Sequence, residues 1–338
     1  MTRPVEIAGG GVAGLALGLA LRRADIPVRV HEAGVYPRHR LCGEFVSGAG
    51  EEEFARLGVT DVLRDSALLT DAVWFRGDRL LLRRDLPVPA RGISRYRLDA
   101  ALAARLTELG GTVVCEDRIT AAPPAEGWVM ATGRPRVEAG PWLAQKSHYQ
   151  NLPMEAGLEM HLGHGGYTGI ARVEGGAANV CALFPAALGK LSAQALPERL
   201  RANGLPALAS RLESAQPVEA SRCGVSHFLT GWQPAAGNVL TVGDHCAIIP
   251  PFTGHGMSLA VLAALEAAPH VERWSRGKSS WQETVQAVRV ALFRKFHARL
   301  RWAARLHPFL LHPAGQLAVA FLARCGLLPW RWLYQKVR

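Results

Sequence analysis

The sequence predicts an α/β protein with three parts: a doubly wound parallel sheet, an antiparallel β-sheet, and a C-terminal helical segment. Three observations lead there. A strand, a glycine loop, a helix and a second strand follow one another between Val5 and Glu32. Residues 146–184 alternate in short runs parted by glycine turns, which is the pattern of paired strands. Gly254 and Gly256 open a long apolar helix, after which the chain turns apolar and basic together.

The first stretch carries the most chemistry. Val5-Glu-Ile-Ala has strand character, and Gly9, Gly11 and Gly14 form a G-x-G-x-x-G. Helical spacing follows over 12–24. Val28–Val30 makes a second strand that ends on Glu32, eighteen residues after Gly14. Gly9 permits the tight turn, Gly11 lets the backbone approach a pyrophosphate, and Gly14 lets helix and strand pack closely. The helix N-terminus offers free N–H groups to phosphate oxygens, and Glu32 can accept hydrogen bonds from a ribose. This is a Rossmann-like dinucleotide unit.

Composition bounds the rest. With 338 residues, more than one domain is expected. Six cysteines stand far apart and no C-x-x-C occurs, which argues against a disulfide framework or cysteine–zinc site and suits a reducing cytoplasm. The apolar run near the start follows Glu6 and is punctuated by glycines, unlike a signal peptide. The net charge is +11, but residues 272–338 hold 13 Lys or Arg against 2 Asp or Glu, so the first 271 residues balance. The basic excess belongs to the tail and does not mark a nucleic-acid-binding body. No Ser-His-Asp order surrounds a nucleophile elbow and no lysine-bearing phosphate loop appears, which excludes the common hydrolase and nucleotide-triphosphatase patterns.

Further along, Tyr36-Pro-Arg-His-Arg40-Leu-Cys42-Gly43-Glu44 leads to a helical stretch over 51–57. Residues 68–91 read as strands of another layer, and Ser94-Arg95-Tyr-Arg-Leu-Asp99 opens a helix to about Leu109. Strands are expected at 112–115 and at Trp128-Val-Met-Ala-Thr132-Gly133. Residues 188–212 read as helical with breaks at Asn203-Gly204 and Pro206, and a strand over 223–228 returns to the sheet. His161 and His164 are read as surface residues, with no metal site. The second strong signature is Gly243-Asp244-His245, then Pro250-Pro251-Phe-Thr-Gly254-His255-Gly256-Met257.

The arginine-bearing loop with Cys42-Gly43-Glu44, and the G-D…P-P-x-T-G-x-G-M segment, resemble the geranylgeranyl-reductase-like branch of FAD-dependent oxidoreductases. That branch shares the fold of the p-hydroxybenzoate-hydroxylase type of flavoprotein monooxygenase. The resemblance implies FAD as cofactor. It places Arg40, Cys42, Gly43, Glu44, Arg95, Gly243, Asp244, Pro251, Gly254, Gly256 and Met257 beside it, together with Gly9, Gly11, Gly14 and Glu32. It implies an FAD-binding domain over 1–70 with 92–145 and 235–270. A substrate-binding sheet takes 71–91 with 146–234, and helices take 271–338.

Two departures stand out. Thr132 stands where related hydroxylases carry the Asp of Ala-Asp-Gly, a residue tied to NADPH or NADH handling, so the pyridine nucleotide or a partner reductase is left open as electron source. His245 and His255 occupy places where small or amide residues are common; with Cys42 they are the candidate catalytic residues.

The leading expectation is monooxygenation of an aromatic or polyketide-like hydrophobic small molecule through a flavin hydroperoxide. Reduction or dehydrogenation of carbon–carbon bonds in an isoprenoid or lipid-like substrate is the alternative, supported by Cys42-Gly43-Glu44. A non-catalytic flavin-binding electron-transfer protein is a third. Halogenation is set aside because Trp330-Arg-Trp332 does not continue into the halogenase motif. The tail, 285–338, is read either as a helical cap or as a peripheral contact with a membrane surface.

Overall fold

The computed structural model describes residues 2–47, 51–121, 123, 125–135, 137–188, 196–227, 229–233, 235 and 237–337. The chain begins β1 (Val5–Ala8), α1 (Val12–Arg22), β2 (Val28–His31), β3 (Phe45–Val46), α2 (Glu51–Leu57), β4 (Ala67–Arg76), β5 (Arg79–Gly92), α3 (Arg95–Glu108), β6 (Thr112–Val114) and β7 (Trp128–Met130). It continues through β8 (Trp142–Gln150), β9 (Leu158–Leu162), β10 (Tyr167–Arg172), β11 (Ala178–Pro185), α4 (Leu196–Ala202), α5 (Pro206–Glu213) and β12 (Gln216–Ser226). Short strands β13 (Gly231–Trp232), β14 (Leu240–Thr241) and β15 (Ala247–Ile248) precede four helices: α6 (Gly256–Ser275), α7 (Trp281–Leu311), α8 (Pro313–Arg324) and α9 (Trp330–Val337).

The first sheet is parallel throughout, ordered β14–β7–β1–β2–β6 with β1 at its centre. α1 is apolar on every side because it is covered on every side, by β2, α3 and α6. It can sit down on the β1 turn only because Gly14 lacks a side chain; a Cβ there would strike the Gly9 carbonyl.

The second sheet has eight strands, ordered β12–β8–β11–β10–β9–β4–β5–β3. The sequence suggests antiparallel pairing; the sheet is mixed, because β4 and β9 run parallel with Ala72 opposite Leu158 and Arg76 opposite Leu162. β5 turns back from β4 as a hairpin, and the chain then crosses the nucleotide layer and returns as β8 before β9 is laid beside β4. Such a long crossover allows a parallel neighbour where a hairpin does not. The sheet takes in 67–92 and begins again at Trp142, a few residues outside the ranges read from the pattern. The helical reading over 188–212 becomes α4 and α5; its residues 189–195, and Phe228 of the expected returning strand, lie outside the described residues.

His161 is not on the surface. It is buried on β9, its ring stacked on Phe75 with centroids 4.6 Å apart and its Nε2 2.9 Å from Glu159. Arg211 also bonds Glu159, so His161 belongs to a structural cluster of the sheet, while His164 is exposed. Burial pulls the His161 imidazole below its usual range.

α7 starts in a capping box made by Ser280 and Glu283. As far as Ala303 it puts Trp281, Val285, Val288, Leu292, Phe296, Leu300 and Ala303 into the same core as α1 and α6. Beyond that it leaves the nucleotide layer, and Leu310 packs instead with Ala144, Leu162, Tyr167 and Leu183 of the mixed sheet. α8 turns away by 98°, and α9 returns against α7. No single helix among the described residues is long and apolar enough to cross a membrane, although α7 and α8 pass that test as a bent pair.

Candidate functional site

Two adjoining regions make up the site. The first is the cradle at the end of β1. Gly9 holds φ +110°, and a Cβ on it would collide with the Ala131 carbonyl. The Glu32 carboxylate is 2 % exposed; it accepts from the backbone N–H of Gly10 at 2.9 Å and of Gly34 at 3.1 Å. Its position at the end of β2 is what the sequence pattern suggests for an acid facing a ribose.

Two arginines converge on the same place. Arg95, the first residue of α3, is paired twice with Asp99, at 2.7 and 2.6 Å. Its guanidinium is also the nearest group to the vacant side of Gly11, at 3.4 Å from a Cβ built there. Arg40 is ion-paired with Glu32 at 2.8 Å and with Asp99 at 3.0 Å. Guanidinium groups gathered beside an open helix N-terminus are the chemistry of a phosphate site. The residues present thus fit FAD: Glu32 for a ribose, and the α1 N-terminus, Arg40 and Arg95 for the pyrophosphate.

The second region is a cavity of about 440 Å³ between the mixed sheet and the nucleotide layer. Cys42, Gly43 and Phe45 form one wall and Pro251–His255 another; sheet residues such as Tyr167, Ile170 and Leu183 form its floor, and α8 and α9 close it. Gly254, at φ +66°, ends the Pro251–Thr253 turn, and a Cβ there would enter the Phe45 ring. The Tyr167 hydroxyl accepts from the Phe252 N–H at 3.0 Å, so the sheet holds this loop directly.

Most of the lining is apolar. At one end Ser47 Oγ lies 3.1 Å from the Tyr334 hydroxyl and 3.4 Å from His255 Nε2, and all three residues face the cavity. Cys42 also lines it, and burial pushes its thiol up, away from the reactive thiolate.

Behind Cys42 lies a buried charge cluster. Glu44, with φ +59°, accepts from Lys146, from His148 and, at 2.9 Å, from the Arg95 backbone N–H. Lys146 and Glu44 are fully buried. Burial pushes the Glu44 carboxyl up, but the bonds from His148 and Lys146 outweigh it and leave it below the usual range. His39, Glu44 and His148 bring ligand-type atoms within 4.8 Å of one another. The Lys146 ammonium already occupies Glu44, and a dication there would face that buried cation.

The remaining expected residues fall around these regions. Gly243 (φ +64°) and Asp244 follow β14, with Asp244 3.8 Å from Arg134 and its carboxyl pushed up by burial. His245 Nδ1 lies 2.7 Å from Thr132 Oγ1, so the two departures from the family pattern touch one another. Gly256 opens α6 with free space where a Cβ would be. Met257 is buried in the core of the nucleotide layer.

No protein-family model matches the sequence, nor does any curated protein. Solved structures do match. The flavin-dependent brominase Bmp2 aligns over 98 % of this chain and 92 % of its own, with a TM-score of 0.79 at 15 % identity. The p-nitrophenol 4-monooxygenase PnpA from Pseudomonas putida DLL-E4 aligns over 98 % and 99 %, with 0.76 at 14 % identity. PqsL from P. aeruginosa, in complex with 2-aminobenzoylacetate, aligns over 94 % and 99 %, with 0.74 at 16 % identity. The fold is that of flavin-dependent monooxygenases and halogenases. Within this fold the chain places its glycine cradle and its apolar cavity on either side of the 40–47 loop.

Sequence reasoning missed Lys146, His148, Ser47 and Tyr334. For the first two a signal existed: Lys146-Ser-His148 on a strand puts both side chains on one face. For Ser47 and Tyr334, 287 residues apart, none did.

Proposed function

We propose that the chain is an FAD-dependent monooxygenase that hydroxylates an aromatic or polyketide-like hydrophobic small molecule. The observation that carries this reading is the apolar cavity whose walls include the Cys42–Phe45 loop and the Pro251–His255 loop, next to a cradle built for a dinucleotide. PnpA and PqsL, which share the fold, bear the names of aromatic compounds in their descriptions.

A bound FAD supplies the electrons and the activation of dioxygen. The chain supplies the rest. Ile170, Leu183, Leu310 and Val319 exclude water from the space where the substrate sits. The Ser47–His255–Tyr334 group offers a close set of hydroxyl and imidazole partners at one end of the cavity. It orients a substrate oxygen, and His255 Nε2 takes the proton that oxygen gives up, with the Ser47 and Tyr334 hydroxyls as the relay. The Glu44 cluster fixes the loop that carries Cys42 and Gly43, and Asn179 secures it again by donating to the Cys42 carbonyl at 3.0 Å.

The test is anaerobic mixing of FAD-loaded protein with NADPH or NADH, followed through the flavin spectrum, then admission of ¹⁸O₂ with a panel of phenols and aminoaryl ketones. Bleaching, reoxidation and one ¹⁸O in the product are expected. Bleaching only when a separate reductase is added would assign the electrons to a partner, in keeping with Thr132 in place of an acid. Saturation of a carbon–carbon bond without oxygen uptake would replace hydroxylation by reduction.

A further inference from the structure

α8 has its burial inverted. It reads Pro-Ala-Gly-Gln-Leu-Ala-Val-Ala-Phe-Leu-Ala-Arg, and its one buried residue is Gln316. That polar side chain pegs the helix to the body: its Nε2 donates to the Gly163 and Leu310 carbonyls at 2.9 and 2.8 Å. The apolar residues point elsewhere. Val319 and Leu322 face the cavity, while Leu317 and Phe321, one turn apart, are 55 % and 64 % exposed. Leu327 in the following turn is 66 % exposed, and Phe309 at the end of α7 is 52 % exposed. A helix in water turns such residues inward.

The chain on either side of α8 is basic. Glu283 is the last acid of the chain, and the 55 residues after it carry ten Lys or Arg. Aromatic rings join the cations. Trp302 and Trp332 meet edge to face at 5.1 Å, with Lys336 5.4 Å from the Trp332 ring and Arg305 5.7 Å from that of Trp302. Two such faces from two copies would repel, whereas an anionic surface complements them. Exposed Leu and Phe, Trp at the margin and an excess of Lys and Arg are the composition of a helix that lies in a membrane interface.

We propose that α8 and the turn after it seat the protein on an anionic lipid bilayer and open the apolar cavity toward the lipid, from which the substrate is drawn. α7 is packed in the nucleotide core as far as Ala303, so the bent pair lies along the surface instead of crossing it. The seat itself is independent of the reaction; the source of the substrate rests on the reading of the cavity given above.

The experiment uses the full chain with phosphatidylglycerol vesicles, phosphatidylcholine vesicles as control, and co-sedimentation as readout. Binding to the anionic vesicles, weakened by salt, is expected, with a loss of about tenfold in Phe321→Asp and in Leu317→Asp. Both positions are exposed and outside the cavity wall, so flavin content and melting temperature serve as the check that the variants fold. Turnover of a vesicle-dissolved substrate should fall with binding, while turnover of a water-soluble one should not. Absence of wild-type binding to anionic vesicles overturns the proposal. So does a dimer in sedimentation equilibrium that Phe321→Asp dissociates, because a second copy would then cover the face. Vesicle binding by a protein that oxidises nothing would sustain the seat and overturn the reaction.

Discussion

Replacing Gly11 with alanine separates the cofactor from the fold. Gly11 precedes α1 at φ −89° and ψ −176°, a conformation open to any residue. A Cβ there has one neighbour within 4 Å, the Arg95 guanidinium at 3.4 Å. Without ligand, the variant therefore loses only the preference of a helix N-cap for glycine over alanine, under about 1 kcal/mol. A pyrophosphate at the α1 N-terminus is a different case. Charge-assisted hydrogen bonds contribute about 1.5–3 kcal/mol each. A methyl group that displaces two of them costs at least about 3 kcal/mol, roughly two orders of magnitude in Kd. Fluorescence titration of FAD into apoprotein measures the affinity, and urea melting without FAD measures the fold. Gly14→Ala is the contrast, since its Cβ strikes the Gly9 carbonyl and should weaken both. FAD affinity within about threefold of the parent in Gly11→Ala would refute the placement of the pyrophosphate.

Other expectations follow from the buried groups. Lys146→Met leaves the Glu44 carboxylate without its ammonium and should cost about 3–5 kcal/mol in urea unfolding; adding Glu44→Gln should return part of that loss. Burial lowers the His307 imidazole from the ordinary 6.5 to about 4. The unfolded chain therefore takes a proton at higher pH than the folded one. This contribution to stability is complete above about pH 6.5 and lost as pH falls toward 4, a change on the order of 2–3 kcal/mol that His307→Phe should remove from urea melts across that range. Gly254→Ala forces φ +66° on a residue with a Cβ and drives it into Phe45; a loss of about 1–3 kcal/mol in thermal melts is expected, and an unchanged melt would mean that the loop is not held as described.

The glycine cradle, Glu32 and the helix after Gly256 were legible because each is local: a few residues of sequence dictate a turn, a cap or a buried face. The strands of the mixed sheet were legible as strands, but alternation does not name neighbours, and the parallel contact between β4 and β9 was lost with it. His161 was misplaced for the same reason, since its burial depends on Phe75 across that pairing. Glu44 was placed near the cofactor on resemblance; its partners Lys146 and His148 lie more than a hundred residues away. Ser47 and Tyr334 meet only because α9 folds back over the cavity.

Residues 40–47 form one short strap with a hand in every compartment. Arg40 reaches the nucleotide cradle, Cys42 and Gly43 wall the cavity, Glu44 is anchored in the sheet, Phe45–Val46 pair with β5, and Ser47 meets His255. The strap thus joins the cradle and the cavity through eight consecutive residues. If loading of the cradle repositions Arg40, the cavity mouth moves with it, and reciprocity demands that a cavity ligand change the nucleotide's affinity by the same factor.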